Sequence, residues 1–173
     1  MSLRRVRYYG DPVLKSRAKE ITEFDASLAD LAADMRETMK AYNGVGLAAN
    51  QIGVLQRILV VDVPQPDAPR ATYTLVNPVI VFREGQEKGE EGCLSIPGVI
   101  VDVERPVHVR VRALDEDGEE RTVEASGLEA RVIQHEMDHL DGVLILERTS
   151  RDERKRALRE LREAEQQRAD EAA

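Results

Sequence analysis

The sequence has little cysteine, no long apolar run and no excess of positive charge, and each of these absences excludes a class of protein. Its 173 residues include one cysteine, so no internal disulfide can form, and a reducing compartment is expected. That residue, Cys93, is therefore a buried apolar residue, a metal ligand or a nucleophile. The length indicates a single domain, and a composition of 42% hydrophobic and 34% charged residues is that of a chain that folds.

Long apolar runs and an excess of positive charge are also absent. The most apolar stretch, around residues 58–61, is far shorter than the roughly 20 residues of a membrane-spanning helix. The first residues lack the apolar segment and cleavage site of a signal peptide, which predicts a cytoplasmic protein with no membrane partner. Lys and Arg total 25 against 33 Asp and Glu, and the net charge of −8 disfavours binding to DNA.

The sequence predicts three helices, two of them from the spacing of apolar residues. Apolar residues recur every three or four positions over residues 25–42, where Asp25 is the expected N-cap, and again over residues 128–140. A third, highly charged helix is expected from about residue 151 to residue 170.

The middle of the chain has the composition of β-strands. Apolar or alternating stretches predict strands at residues 57–63, 73–82, 99–103, 107–111 and 121–125. Asp117-Gly118 predicts the hairpin turn before the last of them. We therefore predict an α+β fold, with one mixed or antiparallel sheet packed around the helix at residues 128–140 and a C-terminal helix after it.

The strongest motif lies in the predicted helix at residues 128–140. His135, Glu136, Met137, Asp138 and His139 spell H-E-x-x-H, and helical geometry puts the two imidazoles only about 40° apart on one face. The pair can bind one metal ion, and Glu136 is placed to take a proton from a water on that ion. The alternative is that both histidines only pack and hydrogen-bond inside the core.

A catalytic site of the zinc type needs three protein ligands and one open position, so a third ligand is expected. One class of metalloprotease has the longer motif H-E-x-x-H-x-x-G-x-x-H, whose last histidine would fall at position 145. That position is Ile145 here. His108 alternates with Val107 and Val109 and is expected to be solvated on the polar face of a strand. Cys93, in a turn of small residues, is the better candidate, with a buried apolar cysteine as the alternative.

Three strings, in this order, resemble the site motifs of bacterial peptide deformylases. They are G-V-G-L-A-A-N-Q at residues 44–51, E-G-C-L-S at residues 91–95 and Q-H-E-M-D-H-L at residues 134–140. The resemblance covers nearly everything up to about residue 150. It predicts a catalytic domain over residues 1–150 and a charged helical tail of the same domain over residues 151–173.

The resemblance implies a metal-dependent hydrolase that removes the formyl group from the N-terminal formyl-methionine of newly synthesised proteins. Cys93, His135 and His139 would bind one divalent metal, with Fe(II) as the native ion and Zn, Ni or Co as alternatives in isolated protein. Glu136 would take a proton from the attacking water and pass it to the departing amine.

The resemblance also implies which groups contact the substrate. The Gln51 side chain and the Leu94 backbone N–H would donate hydrogen bonds to the developing oxyanion. Gly44 and Gly46 would belong to the substrate-binding loop, where Gly46 lets an extended peptide approach and pair with the backbone. A role as simple turn residues is the alternative for both glycines.

A slot for the methionine side chain is expected next to the metal. Val45, Leu128 and Val132 are its predicted walls, although each would also suit an ordinary core. Glu91 and Asp138 are expected to orient the histidine rings, with unrelated surface charges as the alternative.

The charged tail has a charge distribution unlike that of the whole chain. Residues 151–162 carry six basic and three acidic side chains, a net charge of +3. Such a helix is either a solvated surface or, as relatives are understood to use it, a docking element for the ribosome. Nascent formyl-Met polypeptides and the ribosome are therefore the expected partners.

Two other functions are compatible with the H-E-x-x-H motif. A peptidase that cuts internal peptide bonds is disfavoured by Ile145 and by the cysteine turn. The other is a catalytically inactive relative that keeps a structural metal and only binds ribosomes. Glu136 and Gln51 disfavour it, because a structural site closed by four ligands uses neither residue.

Overall fold

The computed structural model describes residues 2–173, which form three α-helices and seven β-strands. Met1, the first residue of the predicted catalytic domain, lies outside the described residues. The helices are α1 (Ala26–Ala41), α2 (Gly127–Leu140) and α3 (Arg151–Ala172). The strands are β1 (Gly46–Ala48), β2 (Ile58–Val63), β3 (Ala71–Glu84), β4 (Glu87–Cys93), β5 (Ile96–Arg105), β6 (His108–Leu114) and β7 (Glu120–Ser126).

The strands form two sheets, where one was expected. The larger sheet has the order β1-β2-β3-β6-β7, and β4 pairs with β5 in a separate two-stranded sheet. All of these pairs are antiparallel. The α+β class is confirmed, and the sheets are antiparallel rather than mixed.

Helices cover both faces of the five-stranded sheet. In β2, Leu59 and Val61 pack in the cluster that contains α2, whereas Ile58 and Val60 pack in the cluster that contains α1. A strand covered on both faces needs no polar residues on alternate positions, which explains its continuous apolar sequence. The predicted central position of α2 is therefore observed.

The predicted N-cap of α1 and the predicted turn before β7 are both observed. Asp25 caps α1 by accepting hydrogen bonds from the backbone N–H groups of Ser27 and Leu28. The turn between β6 and β7 contains Gly118 at a φ of 83°, a left-handed conformation that glycine adopts without strain. Both features were predicted from one or two residues, because such signals act over only a few positions.

Two strands, β1 and β4, were not predicted. β1 has three residues, and most residues of β4 are charged or exposed, so neither shows an alternating pattern. Pairing defines β4: Glu91 lies opposite Val101, and Cys93 lies opposite Ile96 beyond an irregularity in the ladder. This pairing brings Glu91 next to His135 and Cys93 next to His139 of α2.

The first half of α3 packs against the two-stranded sheet. Ala157 and Leu161 are buried in one cluster with Val99 and Val101 of β5 and with the apolar residues 144–146. The Glu153 carboxylate accepts a hydrogen bond of 2.8 Å from the backbone N–H of Asp102. Residues 165–173, by contrast, are all exposed. None of the helices within residues 2–173 has both the length and the apolar character needed to cross a membrane.

Candidate metal centre

Three potential metal ligands converge where α2 meets the end of β4. One ligand atom each from Cys93, His135 and His139 lies within 4.8 Å of the other two. The Cys93 Sγ is 3.4 Å from the His139 Nε2. Both histidines are buried, and Cys93 is half-buried at the edge of a cleft. The structure thus brings together the three residues predicted as ligands.

This donor set fits a divalent transition metal. One thiolate and two imidazoles are ligands for zinc-like ions, and three protein ligands leave a position for water or substrate. The His135 Nδ1 is engaged with the Glu91 Oε1 at 3.0 Å, so its Nε2 remains available for a metal. A carboxylate that binds the other ring nitrogen fixes the tautomer and the orientation of a ligating imidazole.

Three residues bind the Glu91 carboxylate. Besides His135, it accepts hydrogen bonds from the Arg105 Nε at 2.6 Å, the Arg105 Nη2 at 3.0 Å and the Arg131 Nη1 at 2.7 Å. Burial by itself raises the pKa of Glu91, but the hydrogen bonds from His135 and Arg105 outweigh it and lower the pKa to about 2. Glu91 therefore remains an anion in contact with His135, which is the position expected of a carboxylate that orients the ring.

The prediction that Asp138 orients a histidine ring is wrong. Its carboxylate accepts hydrogen bonds from Arg105 and Arg148 at 2.9–3.0 Å. The His139 Nδ1 is buried and has no hydrogen-bond partner anywhere in residues 2–173. Asp138 therefore acts on the site only through Arg105, which also binds Glu91. The sequence places Asp138 in the motif but does not show the arginines that reach it from distant segments.

Arg105 is a buried residue of the site that the sequence analysis missed. Its side chain is 5% exposed and pairs with both Glu91 and Asp138. A signal was present, because Arg105 continues the inward-facing alternation of Val99, Val101 and Val103 along β5. A charged residue in phase with a buried apolar face needs a buried partner.

We expect Arg105→Met to lower the free energy of unfolding by about 3 kcal/mol, because it leaves the buried Glu91 short of a counter-ion. Arg110→Met is the matched control, since Arg110 pairs with Glu124 on the exposed face of β6 and β7. The control should cost no more than about 1 kcal/mol. Urea unfolding of both variants tests this, and equal losses would show that the Glu91 network contributes no special stability.

Glu136 lies beside the ligand cluster. Its Oε2 is 4.0 Å from the His135 Nε2, and its buried Oε1 has no hydrogen-bond partner among the residues described. Burial raises the pKa of Glu136 to about 7, against the opposing effect of His135. A carboxyl group with a pKa near neutrality can both accept and release a proton at physiological pH.

Gly46 packs directly against Glu136, which the sequence did not reveal. A Cβ atom at position 46 would lie 2.7 Å from the Glu136 Oε2 and 2.8 Å from the Val132 Cγ1. The backbone of Gly46 also has a free side. Because the Val45 carbonyl accepts a hydrogen bond from the Asp62 N–H, the alternation of an antiparallel ladder turns the N–H and C=O of Gly46 away from β2. Those groups are available to an extended peptide.

The predicted oxyanion donors lie next to the thiol. Gln51 is buried, and its Nε2 is 3.7 Å from the Cys93 Sγ and 3.2 Å from the Ser95 Oγ. The Gln51 Oε1 accepts a hydrogen bond of 3.0 Å from the Ala48 N–H, which fixes the amide with its NH₂ toward the cluster. Leu94 follows Cys93 directly and lines the same cleft.

A cleft of about 620 Å³ opens onto these groups. All five predicted substrate-binding residues line it: Gly44, Val45, Gly46, Leu128 and Val132. Leu128 is 52% exposed and Val45 is 37% exposed, so neither is an ordinary core residue. Among the lining residues that the sequence analysis did not identify are Tyr8, Pro97, Ile100 and Arg131.

Comparison with known proteins gives a consistent result. Residues 3–155 match the model of the family described as polypeptide deformylase. A peptide deformylase of Thermoanaerobacter pseudethanolicus is 48% identical over 151 residues, which are 87% of this chain and 92% of the relative.

Solved structures agree with the sequence relatives. The crystal structure of a peptide deformylase from Legionella pneumophila has a TM-score of 0.89 and 39% identity, covering 97% of this chain and 98% of its own. A peptide deformylase from Ehrlichia chaffeensis in complex with actinonin has a TM-score of 0.89 and 38% identity, covering 95% and 99% of the two chains. With its ligand cluster, its cleft and these relatives, the chain belongs to the polypeptide deformylase family.

Proposed function

We propose that this chain removes the formyl group from the N-terminal methionine of newly synthesised proteins in the cytoplasm, with Glu136 as the proton carrier. The observation that supports this role best is the position of Glu136. Its carboxyl group is buried beside His135 at the cleft and packs on Gly46, and one of its oxygens has no hydrogen-bond partner within residues 2–173. These are the properties of a group held for proton transfer rather than for stability.

Cys93, His135 and His139 would hold one divalent metal ion, and family membership makes the enzyme metal-dependent. When bound, such an ion supplies an acidified water and polarises a carbonyl oxygen. Glu136 would accept a proton from the attacking water, whose oxygen bonds to the formyl carbon. Glu136 would then deliver a proton to the nitrogen as the C–N bond breaks, giving formate and a free amine.

The remaining groups would stabilise and orient the reacting formamide. The Gln51 Nε2 and the Leu94 N–H are the donors for the carbonyl oxygen as it gains negative charge. An extended peptide would pair with the free N–H and C=O of Gly46, and its methionine side chain would fill the apolar slot of Val45, Leu128 and Val132. Actinonin, which the Ehrlichia chaffeensis relative binds, would compete for the same cleft.

Three substrates in parallel test this function: a formyl-Met peptide, its acetyl counterpart and casein. We expect formate from the first and no reaction with the other two. Cleavage of casein would identify a peptidase instead. Inactivity toward all three by protein that carries a full complement of metal would identify a structural metal site.

For the metal we propose Fe(II) as the native ion, with Zn, Ni or Co able to occupy the same ligands. We expect iron-loaded protein to lose activity in air, because both Fe(II) and the half-buried Cys93 thiolate can be oxidised. Nickel-loaded protein should keep its activity over the same time. Assays of both preparations during incubation in air and under nitrogen measure this effect, and equal half-lives in air would contradict it.

We also propose that α3 docks on the ribosome through its exposed basic side chains. Arg154, Lys155, Arg159 and Arg162 are all exposed, whereas Ala157 and Leu161 are buried. Substitution of the four basic residues is therefore a cleaner test than deletion of the helix, which would uncover the core.

Replacing these four residues by Ala should weaken co-sedimentation with ribosomes and reduce its dependence on salt, since fewer phosphate contacts are made. Hydrolysis of a short formyl peptide should not change. Equal sedimentation of the variant and the parent protein at low salt would show that the helix is only a solvated surface.

A further inference from the structure

One wall of the catalytic cleft carries a charged side chain that the proposed mechanism does not use. Within residues 2–173, Arg131 is the only arginine or lysine that lines the cleft. At about 100° per helical residue, Arg131 lies about 60° from Leu128 on one side, and Val132 lies about 40° from Leu128 on the other. Arg131 therefore borders the proposed methionine slot opposite Val132.

Three acceptors orient the guanidinium of Arg131. Its Nη1 donates to the Glu91 Oε2 at 2.7 Å and to the Val103 carbonyl at 2.9 Å, and its Nη2 donates to the Glu87 carbonyl at 2.8 Å. These acceptors belong to β4 and β5, and the Arg131 side chain is 16% exposed. The head group is therefore placed by the fold before any substrate enters.

The guanidinium keeps donors that the protein does not use. A guanidinium has five N–H groups, and the three hydrogen bonds occupy both of those on Nη1 and one of the two on Nη2. The Nε–H has no acceptor within residues 2–173. Solvent reaches the Nε atom, which is not so for the unpartnered atoms of Glu136 and His139. Since the cleft is the cavity that Arg131 lines, the Nε–H is a donor open to the cleft.

The cleft favours a neutral acceptor for this donor. Glu90 and Glu91 also line it, and Glu90 is exposed and makes no ion pair within the part of the chain that the structure describes. An anionic side chain in the cleft would be repelled by these carboxylates. A methionine thioether is neutral but is only a weak acceptor. The sulfoxide of methionine is neutral, accepts strongly through its oxygen and has nearly the same length.

We propose that Arg131 lets the slot accept N-formyl-methionine sulfoxide as well as N-formyl-methionine. This inference rests on the proposed function. Burying a sulfoxide among Val45, Leu128 and Val132 alone would leave its oxygen without a donor, which is costly. The Arg131 Nε–H donates to that oxygen in a charge-assisted hydrogen bond. The reaction is otherwise the same: the formyl C–N bond breaks, formate leaves, and the sulfoxide remains unchanged.

Formyl peptides that differ only in the first residue test the proposal on metal-loaded protein. We expect kcat/KM for the methionine sulfoxide peptide to lie within about tenfold of that for the Met peptide, because the hydrogen bond offsets most of the cost of burial. A formyl-Glu peptide should be hydrolysed far more slowly than either. Arg131→Met keeps a long side chain and removes the donor. It should lower kcat/KM for the sulfoxide peptide about 10- to 100-fold more than for the Met peptide, the range expected for a hydrogen bond to a charged group.

The sulfoxide sulfur is chiral, which provides a second readout. Its two epimers direct the oxygen to different sides, and a donor on one wall of the slot reaches only one of them. The parent protein should therefore prefer one epimer, and Arg131→Met should hydrolyse both at similar rates.

The matched control is Arg148→Met. Arg148 also binds a carboxylate near the site, that of Asp138, but it does not line the cleft. This control should change neither the ratio of kcat/KM between the sulfoxide and Met peptides nor the epimer preference.

Equal losses on the Met and sulfoxide peptides in Arg131→Met would overturn the proposal, since they would show that Arg131 has only a structural role. Hydrolysis of the formyl-Glu peptide as fast as that of the sulfoxide peptide would overturn it too. A parent protein without an epimer preference contradicts it whether or not Arg131→Met folds.

Failure of the slot and failure of the proposed function give different results. If no formyl peptide is hydrolysed, the proposed function is wrong, and the slot is then tested alone by fluorescence anisotropy of the labelled Met and sulfoxide peptides. Binding to Arg131→Met that is weaker than binding to the parent for the sulfoxide peptide, and not for the Met peptide, supports the role of Arg131. Equal binding of the sulfoxide peptide to the variant and the parent overturns it.

Discussion

Replacing Glu136 by Gln is expected to lower kcat on a formyl-Met peptide by about 10²–10⁴-fold and to leave the metal content unchanged. The amide has nearly the same volume, so the packing against Gly46 and Val132 is kept, but it cannot accept a proton. Glu136 lies next to the ligand atoms and is not one of the three that converge. Loss of the carboxylate should therefore stop proton transfer without releasing the ion.

The control for this variant is Glu129→Gln on the same helix. Glu129 binds Gln65 and Tyr73, away from the ligand cluster, so this change should leave kcat close to that of the parent. Turnover and elemental analysis are measured on the same preparations. Near-normal turnover of Glu136→Gln would refute the role of proton carrier, and loss of metal in parallel with activity would identify Glu136 as a ligand.

Gly46→Ala is expected to reduce kcat/KM by about 100-fold, although it adds one methyl group. The new Cβ would overlap the Glu136 Oε2 at 2.7 Å and the Val132 Cγ1 at 2.8 Å. Either the carboxylate moves from its place beside His135 or the strand moves into the cleft. Both displacements disturb the position of the proton carrier relative to the substrate.

Gly89→Ala is a suitable comparison, because it also adds a methyl group to a glycine in a strand. The atoms nearest to its Cβ would be those of the Arg131 guanidinium, at 3.0–3.2 Å. This guanidinium also donates to Glu91, but it is the end of a long side chain and can shift. A much smaller loss of kcat/KM is expected there. Thermal unfolding shows whether both variants fold, and equal activity of the two would mean that the contact between Gly46 and Glu136 has no catalytic consequence.

Elements with local signals could be predicted from the sequence, and elements defined by pairing could not. The N-cap of α1, the apolar spacing of α1 and α2 and the Asp117-Gly118 turn act within a few residues, so they are visible in the sequence. β4 carries mostly charged residues and is a strand because β5 lies beside it. The division into two sheets follows from that pairing and was missed for the same reason.

The same distinction applies to the site. The two histidines and Glu136 share one helical turn, so their arrangement follows from the sequence alone. The position of Cys93 beside them depends on the β4–β5 pair. The sequence offered Cys93 only as the better of few candidates, and the resemblance to a family then supported it. Asp138 was misjudged because its partners, Arg105 and Arg148, come from other segments. For Gly46, the sequence shows a permissive residue but not the carboxylate packed against it.

The most direct measurement compares formate release with metal content in a series of preparations, from chelator-treated protein to fully loaded protein. Formate from a formyl-Met peptide should rise in proportion to bound metal and reach its limit at one ion per chain. Cys93→Ala, which removes one of the three convergent ligands, should bind little metal and release little formate. Formate release by metal-free protein, or full metal binding by Cys93→Ala, would contradict a catalytic metal held by Cys93, His135 and His139.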